Sequence, residues 1–150
     1  MLGISETKIT EIAKNISMPL ARFSLFLVYF WFGALKIFST SPANPLVDAL
    51  LQKTLPFLTF NQFIIGFAVF EMVIGLLFLI PKAFKLAASL FFLHMITTFL
   101  PLFFLKAQTW QSFLTPTLEG QYIIKNLVLI ALVVSLMANT KPKTQGANNG

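Results

Sequence analysis

The chain has 150 residues, of which 57% are hydrophobic and 11% are charged, and its formal net charge is +6. This composition has too little polar surface to coat a soluble globule of this size, and the basic residues do not form an aromatic-interleaved patch, which excludes a nucleic-acid-binding domain. The sequence contains no cysteine, so dithiol relays, iron–sulfur clusters, thiolate zinc sites and disulfides are excluded as well.

Residues 1–18 form the first predicted element, a cytoplasmic amphipathic segment. Ile9, Ile12 and Ile16 fall on one helical face and the charged residues lie largely elsewhere, which predicts a helix on the membrane surface. Pro19 suits the first turn of the helix that follows, where its missing N–H costs no hydrogen bond. We therefore expect a separate surface helix before the first membrane span.

Four apolar runs meet the length of about 20 residues that a helix needs to cross hydrocarbon. They cover residues 20–38, 60–80, 83–105 and 120–138. The sequence therefore predicts an all-α membrane protein, with a four-transmembrane-helix bundle over residues 19–138.

Two further segments flank these spans. An apolar stripe over about 45–58 predicts an interfacial helix on the outer face, with Asn44 as its N-cap and Pro45 in its first turn. The polar tail over 139–150 is predicted to be a disordered cytoplasmic segment.

Basic residues predict the orientation. They precede or open the first span, occupy the turn between the second and third, and follow the fourth: Lys8, Lys14, Arg22, Lys82, Lys85, Lys141 and Lys143. By the positive-inside rule these regions face the cytoplasm, so both termini are predicted to be cytoplasmic. Arg22 is able to reach the lipid headgroups, although Arg22, Tyr29, Gly33 and Lys36 share one helical stripe that is expected to face the other helices.

Prolines and small residues predict how the spans pack. Pro81 ends the second span and makes the second and third antiparallel neighbours, whereas Pro101 is expected to kink the third and open a polar niche beside Thr97 and Thr98. Close contacts between helices are expected at the small residues Gly66, Gly75, Ala87 and Ala88.

Ionisable residues inside the spans are the strongest functional signal, because each costs roughly 2.5–3.5 kcal/mol at the bilayer centre. Glu71 and His94 lie near the middle of the second and third spans, so they fall at similar depth and are able to meet. We interpret Glu71 as a partnered functional or structural group. A lone histidine is more often a packing residue than a metal ligand, and one histidine cannot form a two-histidine metal or haem site.

The remaining polar residues cluster toward the outer side. Tyr122, Lys125 and Asn126 are spaced to share one helical face. The candidate buried pocket contains Lys36, Glu71, His94, Glu119, Tyr122, Lys125 and Asn126. Its four ion-forming carboxyl and amine groups sum to zero charge, as burial in a membrane demands. Anchoring at the interface is an equally open interpretation for Lys36 and Lys125.

Three segments carry a resemblance to the DoxX-like family of small four-helix bacterial membrane proteins. They are the run from Tyr29 to Lys36 with Arg22 upstream, the pattern of Gly66, Glu71 and Gly75-Leu76-Leu77, and the segment from Glu119 to Leu127, which is similar to the related reactive-chlorine-resistance inner membrane proteins. The resemblance extends over most of the chain from Pro19 to Met137. It implies a multi-pass protein of the bacterial cytoplasmic membrane.

The family takes its name from a subunit of a thiosulfate:quinone oxidoreductase and has relatives in oxidative-stress systems, so the resemblance implies a redox- or stress-associated subunit. Quinone is the cofactor that an apolar aromatic pocket with an acid/base pair would suit, and a redox protein would be its partner. Two other functions remain open: a small proton-coupled transporter, which would favour a homo-oligomer, and a membrane scaffold for stress or redox proteins.

Overall fold

A computed structural model describes residues 2–140 and, from residue 6 onward, their side chains. The chain is mostly helical. Its helices are α1 (Leu2–Ile37), α2 (Asn44–Thr54), α3 (Phe60–Leu79), α4 (Phe84–Phe99), α5 (Pro101–Phe104), α6 (Lys106–Thr109) and α7 (Leu118–Asn139). A 3-10 turn (Pro81–Ala83) joins α3 to α4, and a short hairpin of β1 (Trp110–Ser112) and β2 (Thr115–Pro116) precedes α7.

Four of these helical segments are long and apolar enough to cross a membrane. They are Glu6–Ile37, Phe60–Leu79, Pro81–Phe104 and Leu118–Asn139, close to the four predicted spans. Large apolar side chains such as Ile65, Leu93 and Val128 lie exposed on their outer faces, where a soluble protein would place polar ones. The fold is that of a helical, multi-pass membrane protein.

The N-terminal segment differs from the prediction. α1 is one helix of 36 residues that runs through Pro19 without a break, so Pro19 lies inside the helix and not in its first turn. Proline is tolerated inside membrane helices because neighbouring groups compensate for the lost hydrogen bond. At 1.5 Å per residue α1 is about 54 Å long, which exceeds the roughly 30 Å hydrocarbon core, and Ile9, Ile12 and Ile16 are exposed on its N-terminal half.

The predicted cap of α2 is also wrong. Ala43 is the N-cap and already has helical backbone angles, so Asn44 is the first residue of the helix and Pro45 still lies in the first turn. The helix ends at Thr54, four residues before the predicted end. At the other end of the chain, α7 includes Asn139, the first residue of the predicted disordered tail, and residues 141–150 of that tail lie outside the described residues.

Pro101 interrupts the third span, as the sequence predicts. α4 ends at Phe99 and α5 restarts at Pro101, with Leu100 between them. The hairpin that follows was not predicted. Leu114 turns it with a positive φ of 56°, and the indole N–H of Trp110 donates to the Leu102 carbonyl at 3.0 Å, which ties the hairpin back to α5.

α1 and α3 form the closest pair of helices, and glycines make the contact. A Cβ at Gly33 would lie 2.8 Å from the Ala68 carbonyl oxygen, and one at Gly75 would lie 2.9 Å from the Phe30 nitrogen. Gly66 was expected to make a similar contact, but it faces open space because it lies on the outer side of α3. Ala87 and Ala88 are buried, as predicted, and α7 is the least buried of the four spans.

Candidate functional site

The carboxylate of Glu71 lies at the centre of the bundle with a basic group on each oxygen. The Lys36 ammonium donates to Oε2 at 2.6 Å, and His94 Nε2 lies 2.9 Å from Oε1. All three residues are at least 94% buried. Glu71 and His94, which the sequence left able to meet, are in contact, and Lys36 lines the pocket.

The hydrogen bonds around His94 define its tautomer. Nδ1 lies 3.2 Å from both the Tyr29 hydroxyl and the Thr98 hydroxyl, but the Thr98 hydroxyl also donates to the His94 carbonyl at 3.0 Å. The Glu71 carboxylate is paired with Lys36 and can only accept, so Nε2 carries the ring proton and donates to Oε1. Nδ1 of the neutral ring is then an acceptor, and because the Thr98 proton is directed to the His94 carbonyl, Tyr29 donates to Nδ1. One chain of hydrogen bonds thus joins Tyr29, His94, Glu71 and Lys36.

Aromatic rings enclose this chain. The Phe67 ring stacks on the His94 ring with centroids 5.2 Å apart and an angle of 23°, and the Lys36 ammonium lies 5.8 Å from the centroid of Phe67. The Tyr29 ring packs against Phe91 on the opposite side. In this apolar setting the ammonium and the carboxylate compensate each other, which is the condition under which buried charge is tolerated.

A cavity of about 740 Å³ lies beside the cluster. Its walls are mostly apolar and come from α1, α2, α3, α4 and α7, and Leu46, Val47, Leu50 and Leu51 of α2 cover one end. The polar side chains that reach it are Tyr29, Lys36, Thr54, Glu71, His94, Thr97, Thr98, Tyr122 and Asn126. Thr97 and Thr98 therefore form part of a polar niche next to the proline break, as predicted.

The opposite side of the cluster is closed by close packing. Further from α2 along the helices, the fully buried side chains are Leu25, Ile74, Phe78, Phe91 and Val133. These residues fill the half of the bundle nearer to Arg22 with an apolar core. Among the described residues, the cluster therefore communicates with the cavity and not with the other end of the bundle.

The structure brings together five of the seven predicted pocket residues. Lys36, Glu71, His94, Tyr122 and Asn126 line the cavity. Glu119 and Lys125 do not, because both are exposed on faces of α7 that turn away from it.

α7 is rotated relative to the expectation, so that Ile123 is buried and Tyr122 and Asn126 lie beside it. The Lys125 ammonium lies 5.1 Å from the centroid of the Tyr122 ring. The predicted balance of four charges is therefore reduced to the single pair of Lys36 and Glu71.

Sequence reasoning placed Thr98 in a polar niche beside the proline, but it did not connect Thr98 or Tyr29 to the ionisable residues. The available signals were the position of Tyr29 one heptad before Lys36 and that of Thr98 one helical turn after His94. Arg22 contacts another helix, as expected from the stripe that it shares with Tyr29, Gly33 and Lys36. Its guanidinium donates to the Phe78 carbonyl at 3.2 Å and lies 4.9 Å from the centroid of Phe84, so it joins α1 to the end of α3.

Comparison with protein-family models, curated proteins and solved structures found no match. The fold defines a multi-pass membrane protein with four apolar helices and a buried Lys–Glu–His cluster beside a cavity.

Proposed function

We propose that this protein is a DoxX-like subunit of the bacterial cytoplasmic membrane that binds a quinone in the cavity and takes part in redox or oxidative-stress chemistry. The observation that carries the proposal is the buried cluster of Lys36, Glu71 and His94 at the polar side of an apolar cavity. Buried ionisable groups inside a membrane span are retained where they bind a ligand or exchange protons.

The charge of the cluster favours a neutral ligand. The ammonium of Lys36 and the carboxylate of Glu71 cancel, so an ionic ligand would introduce an unpaired charge into an apolar cavity. Lys36 has three N–H donors and one is directed to Glu71, which leaves donors for a carbonyl oxygen. A quinone is neutral, lipid-soluble and carries carbonyl oxygens at opposite ends of an apolar ring.

The cluster also supplies proton exchange. When a redox partner protein delivers two electrons to a bound quinone, the two ring oxygens take up two protons. Glu71 and His94 are joined by a 2.9 Å contact and line the cavity, so they are the groups that take up protons from water that reaches the cavity and pass them to the ring oxygens. Asn126, on the α7 side, is a candidate contact for the second oxygen.

The proposed orientation follows the charges. Both termini face the cytoplasm, α2 lies at the outer interface, and the cavity is therefore in the outer half of the membrane. α1 as a whole is longer than the hydrocarbon core is thick, so its N-terminal half extends to the cytoplasmic surface. A redox partner and a second copy of the chain are the proposed associations.

Two observations favour this function over the alternatives. A transporter needs access from both sides of the membrane, whereas the bundle is filled by apolar side chains such as Leu25, Phe78 and Phe91 on the far side of Glu71. A scaffold that docks partners through the apolar face of α2 needs that face free, whereas Leu46, Val47, Leu50 and Leu51 line the cavity.

Binding of a short-chain ubiquinone to the protein in lipid nanodiscs tests the proposal. We expect saturable binding to the wild type and to Glu119→Gln, whose carboxylate lies outside the cavity, and at least tenfold weaker binding to Glu71→Gln and Lys36→Met. Equal affinity in all four proteins, or absence of binding to the folded wild type, would contradict the proposed site.

A further inference from the structure

The proposed function does not specify how a ligand enters the cavity. Three of its large lining residues are more than half exposed, namely Phe32 at 54%, Leu93 at 55% and Tyr122 at 61%. Leu93 belongs to α4, and the other two form a pair. They belong to α1 and α7, which are neighbours in the bundle. A residue that lines a cavity and is more than half exposed lies at its opening.

The helix faces place both residues at the same seam. Gly33 faces α3, and Phe32 is displaced from it by about 100° of helix rotation, in the same direction as the cavity-lining Tyr29 and Lys36. On α7, Tyr122 and Leu129 are seven residues apart and line the cavity on one face, beside the buried Ile123. α7, one of the two helices at this seam, is also the least buried of the four spans.

The other boundaries of the cavity are closed more tightly. α2 covers the outer end, and its Lys53 ammonium fastens it to the end of α5 by a hydrogen bond of 2.8 Å to the Phe104 carbonyl. On the side of α3 and α4 one lining residue, Leu93, is 55% exposed, but Phe63, Phe67 and Phe70 beside it are half-buried, and Phe67 is stacked on both Phe63 and His94.

We infer that ligands enter the cavity sideways from the bilayer, through a portal between α1 and α7 that is formed by Phe32 and Tyr122. The ligand class is then one that is dissolved in the membrane, and not a water-soluble solute that arrives past α2. This inference rests on the proposed function for the identity of the ligand as a quinone. The route itself follows from the exposure of the two portal residues and from the cover that α2 provides.

Thiol labelling tests the route without any quinone, because the natural chain contains no cysteine. Leu51→Cys and Met95→Cys each place one thiol at a cavity-lining position that is at least 96% buried. Proteoliposomes of each variant are treated with lipid-soluble N-phenylmaleimide or with a charged, water-soluble methanethiosulfonate. We expect N-phenylmaleimide to label both thiols and the charged reagent to label them at least tenfold more slowly.

Larger side chains at the two portal residues test whether the reagent passes between α1 and α7. We expect Phe32→Trp combined with Tyr122→Trp to slow labelling by N-phenylmaleimide at least fivefold. Phe63→Trp, the matched enlargement at the α3–α4 seam, should leave the rate unchanged. Faster labelling by the charged reagent, a rate that responds only to Phe63→Trp, or no labelling of either thiol in folded protein would overturn the inference. The labelling assay contains no quinone, so it is independent of the binding assay in nanodiscs. Labelling through the portal combined with no quinone binding would reject quinone as the ligand and support the portal.

Discussion

At the scale of single residues, the environment of Glu71 accounts for a carboxylate in the middle of an apolar bundle. Lys36 and His94 each contact one of its oxygens, and Phe67 shields the group from the side. The sequence could predict that Glu71 needs a partner, because the cost of burial depends only on its depth. It could not choose between Lys36 and Lys125, because that choice depends on the rotation of α1 and α7.

Breaking the ion pair from one side should destabilise the fold strongly. In Lys36→Met the Glu71 carboxylate loses its compensating charge, and we expect the free energy of unfolding to fall by about 3–5 kcal/mol. The double variant Lys36→Met/Glu71→Leu should recover most of the loss, because neither charge remains buried. Unfolding in mixed detergent and SDS micelles measures both effects.

The matched control is Lys125→Met, which removes an exposed ammonium in the N-terminal half of α7 and should change stability little. A Lys36→Met variant as stable as this control would show that Lys36 and Glu71 do not form a compensating pair in the membrane.

The tautomer of His94 gives a second prediction at this scale. His94 is the only histidine of the chain, so nitrogen NMR of labelled protein reports on it alone. We expect a protonated Nε2 and an unprotonated Nδ1 that accepts from Tyr29. Tyr29→Phe should shift the Nδ1 resonance more than Thr98→Val does, because the Thr98 proton is directed to the His94 carbonyl. A ring protonated on Nδ1 in the wild type would refute this arrangement.

At the scale of helices, the fold depends on how closely α1 approaches α3. The four apolar spans were predictable because hydropathy and length determine which segments can cross hydrocarbon. The roles of the glycines were only partly predictable. Gly75 lies at a contact and Gly66 does not, although both are small residues of the same helix, because only one of them faces α1.

Adding a methyl group at each glycine tests this packing. Gly33→Ala and Gly75→Ala place a Cβ against backbone atoms at 2.8 Å and 2.9 Å, which cannot move without separating the helices. We expect each to reduce the free energy of unfolding by about 1–3 kcal/mol. Gly66→Ala points into open space and should be neutral or slightly stabilising in the same assay. Equal effects at all three positions would contradict the close contact of α1 and α3.

The continuity of α1 and the β1–β2 hairpin were not predictable from local pattern. Proline marks a helix start in most contexts, and only the surrounding membrane and bundle make an interior Pro19 acceptable. The hairpin turns at Leu114, a residue type that rarely adopts a positive φ, so no turn signal marks it. Its position instead depends on contacts with residues outside the hairpin, such as the hydrogen bond from Trp110 to the Leu102 carbonyl.

At the scale of the whole molecule, the bundle has two unlike halves. The half that contains Leu25, Phe78 and Phe91 is packed with apolar side chains, whereas the half beneath α2 encloses the cavity and the ion pair. Composition and depth predicted a polar pocket in the outer half, but its depth, its apolar walls and its cover by α2 depend on tertiary packing. The proposed quinone site follows from this asymmetry.

Quantification of quinone that is extracted with the purified protein tests the central claim most directly. Mass spectrometry of protein isolated in mild detergent should find near-stoichiometric quinone in the wild type and in Glu119→Gln, and little in Glu71→Gln. All three proteins must first be shown to be folded by their circular dichroism and elution volume. Quinone at equal levels in the wild type and Glu71→Gln, or at the level of an unrelated membrane protein from the same cells, would contradict the account.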